Sequence, residues 1–223
     1  RMTQSIPALL KAAGDADPKV RPAAIRKVGE LGGDGEISPL LDVLMRLSES
    51  RDLDAIERAL SAVCTKTDNP QSNTGKLTGL LGRASPAQKS ALFQVLGVIG
   101  GPDALEAVRK AVNDSNTQVS AAAVRSLSGW KTADAAPDLL KLARTSPDQS
   151  GKTAALRGYI SLVRDESLST AEKLTMCQQA ANLIQRDQEK KLLLGVLGTV
   201  PSLEALSMAM AHLDDSATKD EAC

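Results

Sequence analysis

Residues 15–44 read DADPKVRPAAIRKVGELGGDGEISPLLDVL. Asp17 before Pro18 predicts a helix start, because a carboxylate at the N-cap accepts orphan backbone N–H groups and proline at the first helical position needs none. Val20, Ala23, Ala24, Ile25 and Val28 then recur at helical spacing, and Leu31 continues the stripe. Gly32, Gly33 and Gly35 end that helix, since glycine enters a left-handed C-cap without strain. Ile37, Leu40, Leu41, Leu44 and Leu47 line one side of a second helix. The stretch predicts two helices joined by a Gly-rich turn.

This unit recurs. An apolar residue near the end of each first helix marks it: Val28, Val63, Leu96, Leu127, Ile160 and Leu197, spaced 31 to 37 residues apart. Self-similarity at this period predicts a solenoid, in which each unit buries its apolar face on the next. Ser85–Pro86, Asp114–Ser115–Asn116, Ser146–Pro147–Asp148 and Ser169–Thr170 are further helix starts. Gly100–Gly101–Pro102 is a further turn, and residues 65–75, TKTDNPQSNTG, read as a long loop. In the fifth unit Leu156, Tyr159, Ile160 and Val163 precede a longer helix with Leu174, Cys177, Ala181 and Ile184, and the sixth closes on Leu203, Leu206, Met208 and Met210. Residues 5–13 resemble a second helix, with Ile6, Leu9 and Leu10 matching Ile37, Leu40 and Leu41, while Asp215, Thr218 and Lys219 restart a first helix. The expectation is one array over residues 1–223, a segment of a larger protein. Ile6, Leu9 and Leu10 at one end and Met208, Met210 and Leu213 at the other are then left uncovered.

Composition narrows the chemistry. Hydrophobic residues make up 42% of 223, enough for a sizeable core, but Phe93, Trp130 and Tyr159 are the only aromatics. The core is therefore built from Leu, Ala, Val and Ile. Lys plus Arg and Asp plus Glu are each 27, so no overall charge favours nucleic acid or an anionic membrane face. Cys64, Cys177 and Cys223 are scattered without CxxC spacing and read as small buried helix residues. No apolar run reaches the roughly 18 residues of a membrane span, and no signal peptide is visible at Arg1.

Three aromatics cannot supply the tetratricopeptide pattern, and the ankyrin TPLHxA motif is absent. What is present is Asp-Pro-x-Val-Arg at 17–21, small and branched residues around Ala24, the turn at Gly32 and a Leu-Leu second helix. This resembles the HEAT repeat in its short bacterial form, similar to phycobilisome-lyase-type repeats. The likeness is strongest in the first unit, weakest in the second, and extends over residues 3–223. It implies an all-α, right-handed α-α superhelix, armadillo-like, of about six helix pairs plus partial terminal repeats. It also implies that Arg21 is structural, holding an inter-repeat loop through a carboxylate such as Asp15 or Asp17. First helices would line the convex side and second helices the concave one. The candidate binding face is then Asp42, Arg46, Lys76, Glu106, Arg109, Lys110, Asp138, Lys141, Arg144, Glu172, Gln179 and Glu204.

No catalytic constellation competes with that reading. His212 is the only histidine, so the sequence supports neither an iron site built from repeated His-Glu pairs nor a nucleophile–histidine set. LGGDG at 31–35 and GVIGG at 97–101 lack the Lys-Ser/Thr pair of a phosphate loop and sit at repeat turns. Mixed charges on the second helices and the lack of stacking aromatics disfavour nucleic acid. The sequence therefore predicts no cofactor, no enzyme activity and no membrane span, but a scaffold that holds a protein partner or a neighbouring domain. The alternative is an accessory or lyase-like module acting on a cofactor-bearing partner, for which Trp130 and Tyr159 are the available groove aromatics. Resemblance to segments of large exported bacterial proteins leans toward a periplasmic or secreted setting.

Overall fold

The computed structural model describes residues 5–211, which hold thirteen α-helices and no strand. In order these are α1 (Ile6–Ala12), α2 (Val20–Leu31), α3 (Ile37–Leu44), α4 (Ser50–Cys64), α5 (Thr74–Thr78), α6 (Pro86–Ile99), α7 (Pro102–Ala111), α8 (Thr117–Ser128), α9 (Ala136–Thr145), α10 (Gln149–Leu162), α11 (Thr170–Ala181), α12 (Asp187–Leu197) and α13 (Leu203–Met210). The all-α repeat fold expected from the sequence is the fold observed. Expectations on His212, Leu213, Asp215, Thr218, Lys219 and Cys223 lie outside the described residues.

The chain divides into two compact units, residues 1–126 and 127–223. In the first, α2 packs on α4 and α4 on α6, with α3, α5 and α7 as their partner second helices. In the second, α10 packs against α9, α11 and α12, and α13 lies on α12.

Successive first helices cross at small residues. A Cβ on Gly29 would stand 2.7 Å from the Ala59 Cα, one on Gly97 2.8 Å from the Ser126 Oγ, and one on Gly158 2.7 Å from the Ser128 carbonyl oxygen. The backbones approach that closely only because these positions lack a side chain.

A second regularity lies at the third residue of the first helices. Pro22, Asp52, Gln88, Val119 and Glu189 are all buried there, and Gly151 is half-buried. Where that residue is polar it must find a partner. Asp52 lies 2.6 Å from the Arg21 Nε, and the Gln88 amide donates to the Leu44 and Leu47 carbonyls at 3.2 and 3.0 Å. Glu189 binds the Arg157 and Arg186 Nε atoms at 2.7 and 3.0 Å.

Four of the second helices share a register as well, which α11 breaks with Lys173. The fourth residue after the N-cap is Leu40, Leu77, Leu105 and Leu139 in α3, α5, α7 and α9, exposed by 0, 0, 4 and 0%. In α13 that residue is Leu206, exposed by 56%.

Several local expectations are corrected. α2 begins at Val20, not Pro18, although the Asp17 carboxylate still accepts the Lys19 N–H at 2.8 Å. Val20 and Ala23 are exposed, and Pro22 and Gly29 take their places in the core. Gly32 ends α2 in extended backbone, and left-handed glycines occur only at Gly100 and Gly101, φ 68° and 85°, where α6 turns into α7. Residues 65–75 are not all loop: Pro70–Asn73 is a 3₁₀ turn that leads into α5. Trp130 lies beyond the end of α8, and Ala181 is exposed while Met176 and Ala180 join Cys177 in the core. Ile6 is buried and Leu9 and Leu10 half-buried. At the other end Leu203, Leu206 and Met210 are exposed, with Met208 half-buried.

Arg21 is structural, but its carboxylate is Asp52 of the following repeat, not Asp15 or Asp17. Asp15 and Ala16 offer it only their backbone carbonyls, at 3.2 and 3.3 Å. The expected caps at Ser85 and Ser169 are capping boxes closed by Gln88 and Glu172, and Asp148 accepts the Gly151 N–H.

Candidate interaction face

The second helices of the first unit place Asp42 on α3 with Arg46 just past its end, Lys76 on α5, and Glu106, Arg109 and Lys110 on α7, all exposed. Asp42 and Arg46 line a cleft of about 970 Å³ together with Lys11, Asp15 and Glu49. The Arg46 Nε donates only to the Asp42 backbone carbonyl at 3.1 Å, so both side-chain charges face the cleft unneutralised by each other. Arg21 and Asp52 reach the same cleft but are spent on one another.

Lys76 is tied locally. Its Nζ donates to the Asn73 Oδ1 at 2.8 Å, and the buried Asn73 amide donates to the Asp34 carboxylate at 3.1 Å. On α7, Glu106 pairs with Arg109 at 3.2 Å and Lys110 at 3.4 Å, and those cations hold its carboxyl below the ordinary range, Lys110 most of all. Glu106 and Lys110 edge a second cleft of about 510 Å³ beside the short α5.

In the second unit Asp138, Lys141 and Arg144 lie on α9, Glu172 and Gln179 on α11, and Glu204 on α13. Two of these serve the fold. The Glu172 carboxylate accepts the Ser169 N–H at 2.8 Å and hydroxyl at 2.6 Å, which lowers its pKa, and Gln179 Oε1 accepts the buried Tyr159 hydroxyl at 2.6 Å. Lys141, Arg144 and Glu204 are exposed, and Asp138 is half-buried.

The remaining chemistry-bearing groups are occupied or enclosed. Burial pushes the thiols of Cys64 and Cys177 up to about 11. Trp130 and Tyr159 are 3 and 2% exposed, and the Trp130 indole N–H donates to Asp134 at 3.0 Å, so neither ring faces a groove. Among the described residues no group of three His, Cys, Asp or Glu side chains is placed to hold a metal ion, and no helix is long and apolar enough to cross a membrane.

Buried polar groups were the part that sequence reasoning missed. Asp52, Gln88 and Glu189 are polar residues that the apolar pattern of the sequence passes over. Their common place at the third residue of a first helix is the signal that marks them.

With this geometry in view, residues 76–159 match the family model for HEAT repeats. That stretch is similar to HEAT repeats, and the helical-repeat fold around it is consistent with that family. The matched stretch runs from Lys76 in α5 to Tyr159 in α10, so residues 15–44 lie outside it. HEAT repeats generally serve as scaffolds for protein interaction, and their helical fold is typically non-catalytic. No curated protein matches the chain. Two engineered proteins of known crystal structure are similar to it. The first shows 18% identity and a TM-score of 0.44, over 97% of this chain and 66% of its own length. The second shows 18% identity and a TM-score of 0.41, over 98% of this chain and 96% of its own. The chain thus spans somewhat less than two thirds of the first engineered protein.

Proposed function

We propose that these helical repeats form a non-catalytic scaffold whose second-helix polar residues hold a protein partner or a neighbouring domain. The observation that carries this reading is the cleft of about 970 Å³ around α3, where Lys11, Asp42 and Glu49 make no side-chain hydrogen bond or ion pair with any described residue. Charges left unpaired around a concavity pair with a complementary surface and set its register more than its affinity. A role without catalysis is supported by the state of the titratable groups: both described thiols are buried, and the buried carboxylates Asp52 and Glu189 are tied to arginines.

The test is affinity capture from extracts of the source cells with three baits: the natural chain, D42K/R46E, and a control with first-helix reversals K27E/R58E. A partner held by the natural chain and the control but lost from D42K/R46E supports the face. Retention by all three baits, or loss from both variants, counts against it.

A further inference from the structure

The second unit holds a cavity of about 220 Å³ bounded by the end of α9, the start of α10 and the turn from α11 to α12. Its charged lining is Arg144, Lys152, Arg186 and Glu189. Glu189 is already satisfied, with Arg157 on one carboxylate oxygen and Arg186 on the other. The guanidinium of Arg186 is further fixed by donation to the Thr153 hydroxyl at 2.7 Å. Arg144 and Lys152 make no hydrogen bond or ion pair with any described residue.

Arg186 thus shares Glu189 with Arg157, and Arg144 and Lys152 are the two lining cations with no anionic partner. The other described cavities lean the opposite way. Around α3 four carboxylates face three cations, beside α5 three face two, and at the loop after α4 two face one. Of these four cavities among the described residues, this recess is the one with more cations than carboxylates. Arg144 and Arg186 are exposed and Lys152 is half-buried, so the recess is open to a solute, and neighbouring like charges there repel until an anion joins them.

We propose that this cavity binds a dianionic phosphate group, as inorganic phosphate or as a monoester carried by a partner. Two uncompensated cations match a phosphate monoester, which carries about −1.5 to −2 at neutral pH. A single carboxylate would leave one cation unmatched. Arginine presents a planar fork suited to two phosphate oxygens, and Lys152 adds a point charge. The side-chain amides of Gln149 and Asn182 also line the recess and add neutral donors. The volume limits the ligand: nucleotide- and cofactor-sized pockets run from about 300 Å³ upward, so the cavity takes one small group and not a dinucleotide. The site goes beyond the scaffold reading and stands without it, although Arg144 belongs to both.

The experiment is a calorimetric titration of the whole chain with sodium phosphate and, separately, with N-acetyl-O-phosphoserine amide, ionic strength being held constant with sodium chloride. Saturable binding is expected, weakened at least about tenfold in R144Q/K152Q. Those two side chains make no hydrogen bond or ion pair with any described residue, and a thermal melt checks that the variant is intact. Should it melt early, K152Q alone provides the same comparison. Tighter binding of the phosphoserine derivative assigns the group to a modified partner, and tighter binding of inorganic phosphate assigns it to the free anion. Both outcomes support the site. Heats no larger than those of a chloride-matched control, or wild-type affinity in the variants, overturn it.

Discussion

Glu189, in the first turn of α12, accepts the Arg157 Nε at 2.7 Å from thirty-two residues back along the chain. Asp52, at the same place in α4, accepts the Arg21 Nε at 2.6 Å from thirty-one residues back. Both carboxylates are buried, at 2 and 1% exposure. Removing one partner of such a pair leaves an uncompensated buried charge, at a cost of about 3–5 kcal/mol, whereas replacing both by apolar groups of similar volume is often close to neutral. R21A is therefore expected to lower the urea midpoint far more than R21M/D52L does. Equal losses would show that the carboxylate finds solvent once its arginine is gone.

The close crossings of the first helices make a paired prediction. The methyl of G158A would meet the Ser128 backbone at 2.7 Å, which cannot swing aside, so a loss of about 1–3 kcal/mol is expected. Gly195 is also helical, but its added methyl meets nothing within 4 Å. There G195A is expected to raise stability by about 0.4–1 kcal/mol through helix propensity and a less flexible unfolded chain. Thermal denaturation of the two variants should move in opposite directions.

The repeat period, the caps at Ser85 and Ser169 and most buried leucines were legible in the sequence because they are local: each depends on residues within a turn or two. The partner of Arg21 was not. Asp52 lies one repeat away, and only stacking of α2 on α4 brings the two together. The surroundings of the candidate face residues were harder to read. Asp42 and Arg46 do meet a cleft, but Glu172 and Gln179 are claimed by a cap and a tyrosine, which composition cannot reveal. Lys152 and Arg186 escaped notice because they belong to a first helix and a connector, outside the second-helix series.

The shared register of the second helices separates Leu105 from Leu206. L105A removes a buried side chain and is expected to cost about 2–5 kcal/mol. L206A, at the same register position but exposed, is expected to change stability by less than about 0.5 kcal/mol. Denaturant titration decides. A loss at Leu206 as large as that at Leu105 would mean the residue is covered in solution.

The buried thiols give a pH dependence. Cys64 and Cys177 titrate near 9.0 when unfolded and about 11 when folded. Between those values the unfolded chain has released the protons that the folded chain keeps, so stability falls as pH rises from about 9 to 11. Below pH 9 both states hold the protons and the contribution is flat. C64A/C177A should lack this part of the alkaline decline. An unchanged pH profile in that variant would place the decline elsewhere.

The Lys66 ammonium, just past α4, reaches back to the carbonyl oxygens of Gly29 and Glu30 at 2.7 and 2.8 Å and closes the end of α2. With Arg21 and Asp52 it makes two long-range ties between one helix pair and the next, both spanning the joint at which a genetic duplication or deletion of a pair would fall. The covalent repeat and the energetic repeat are thus out of phase. Shortening or lengthening this part of the array by whole helix pairs keeps every helix intact yet separates each tie from its partner, unless the incoming pair carries the same arginine, carboxylate and lysine. Copy number in such an array is restrained by side chains that no single repeat contains in full.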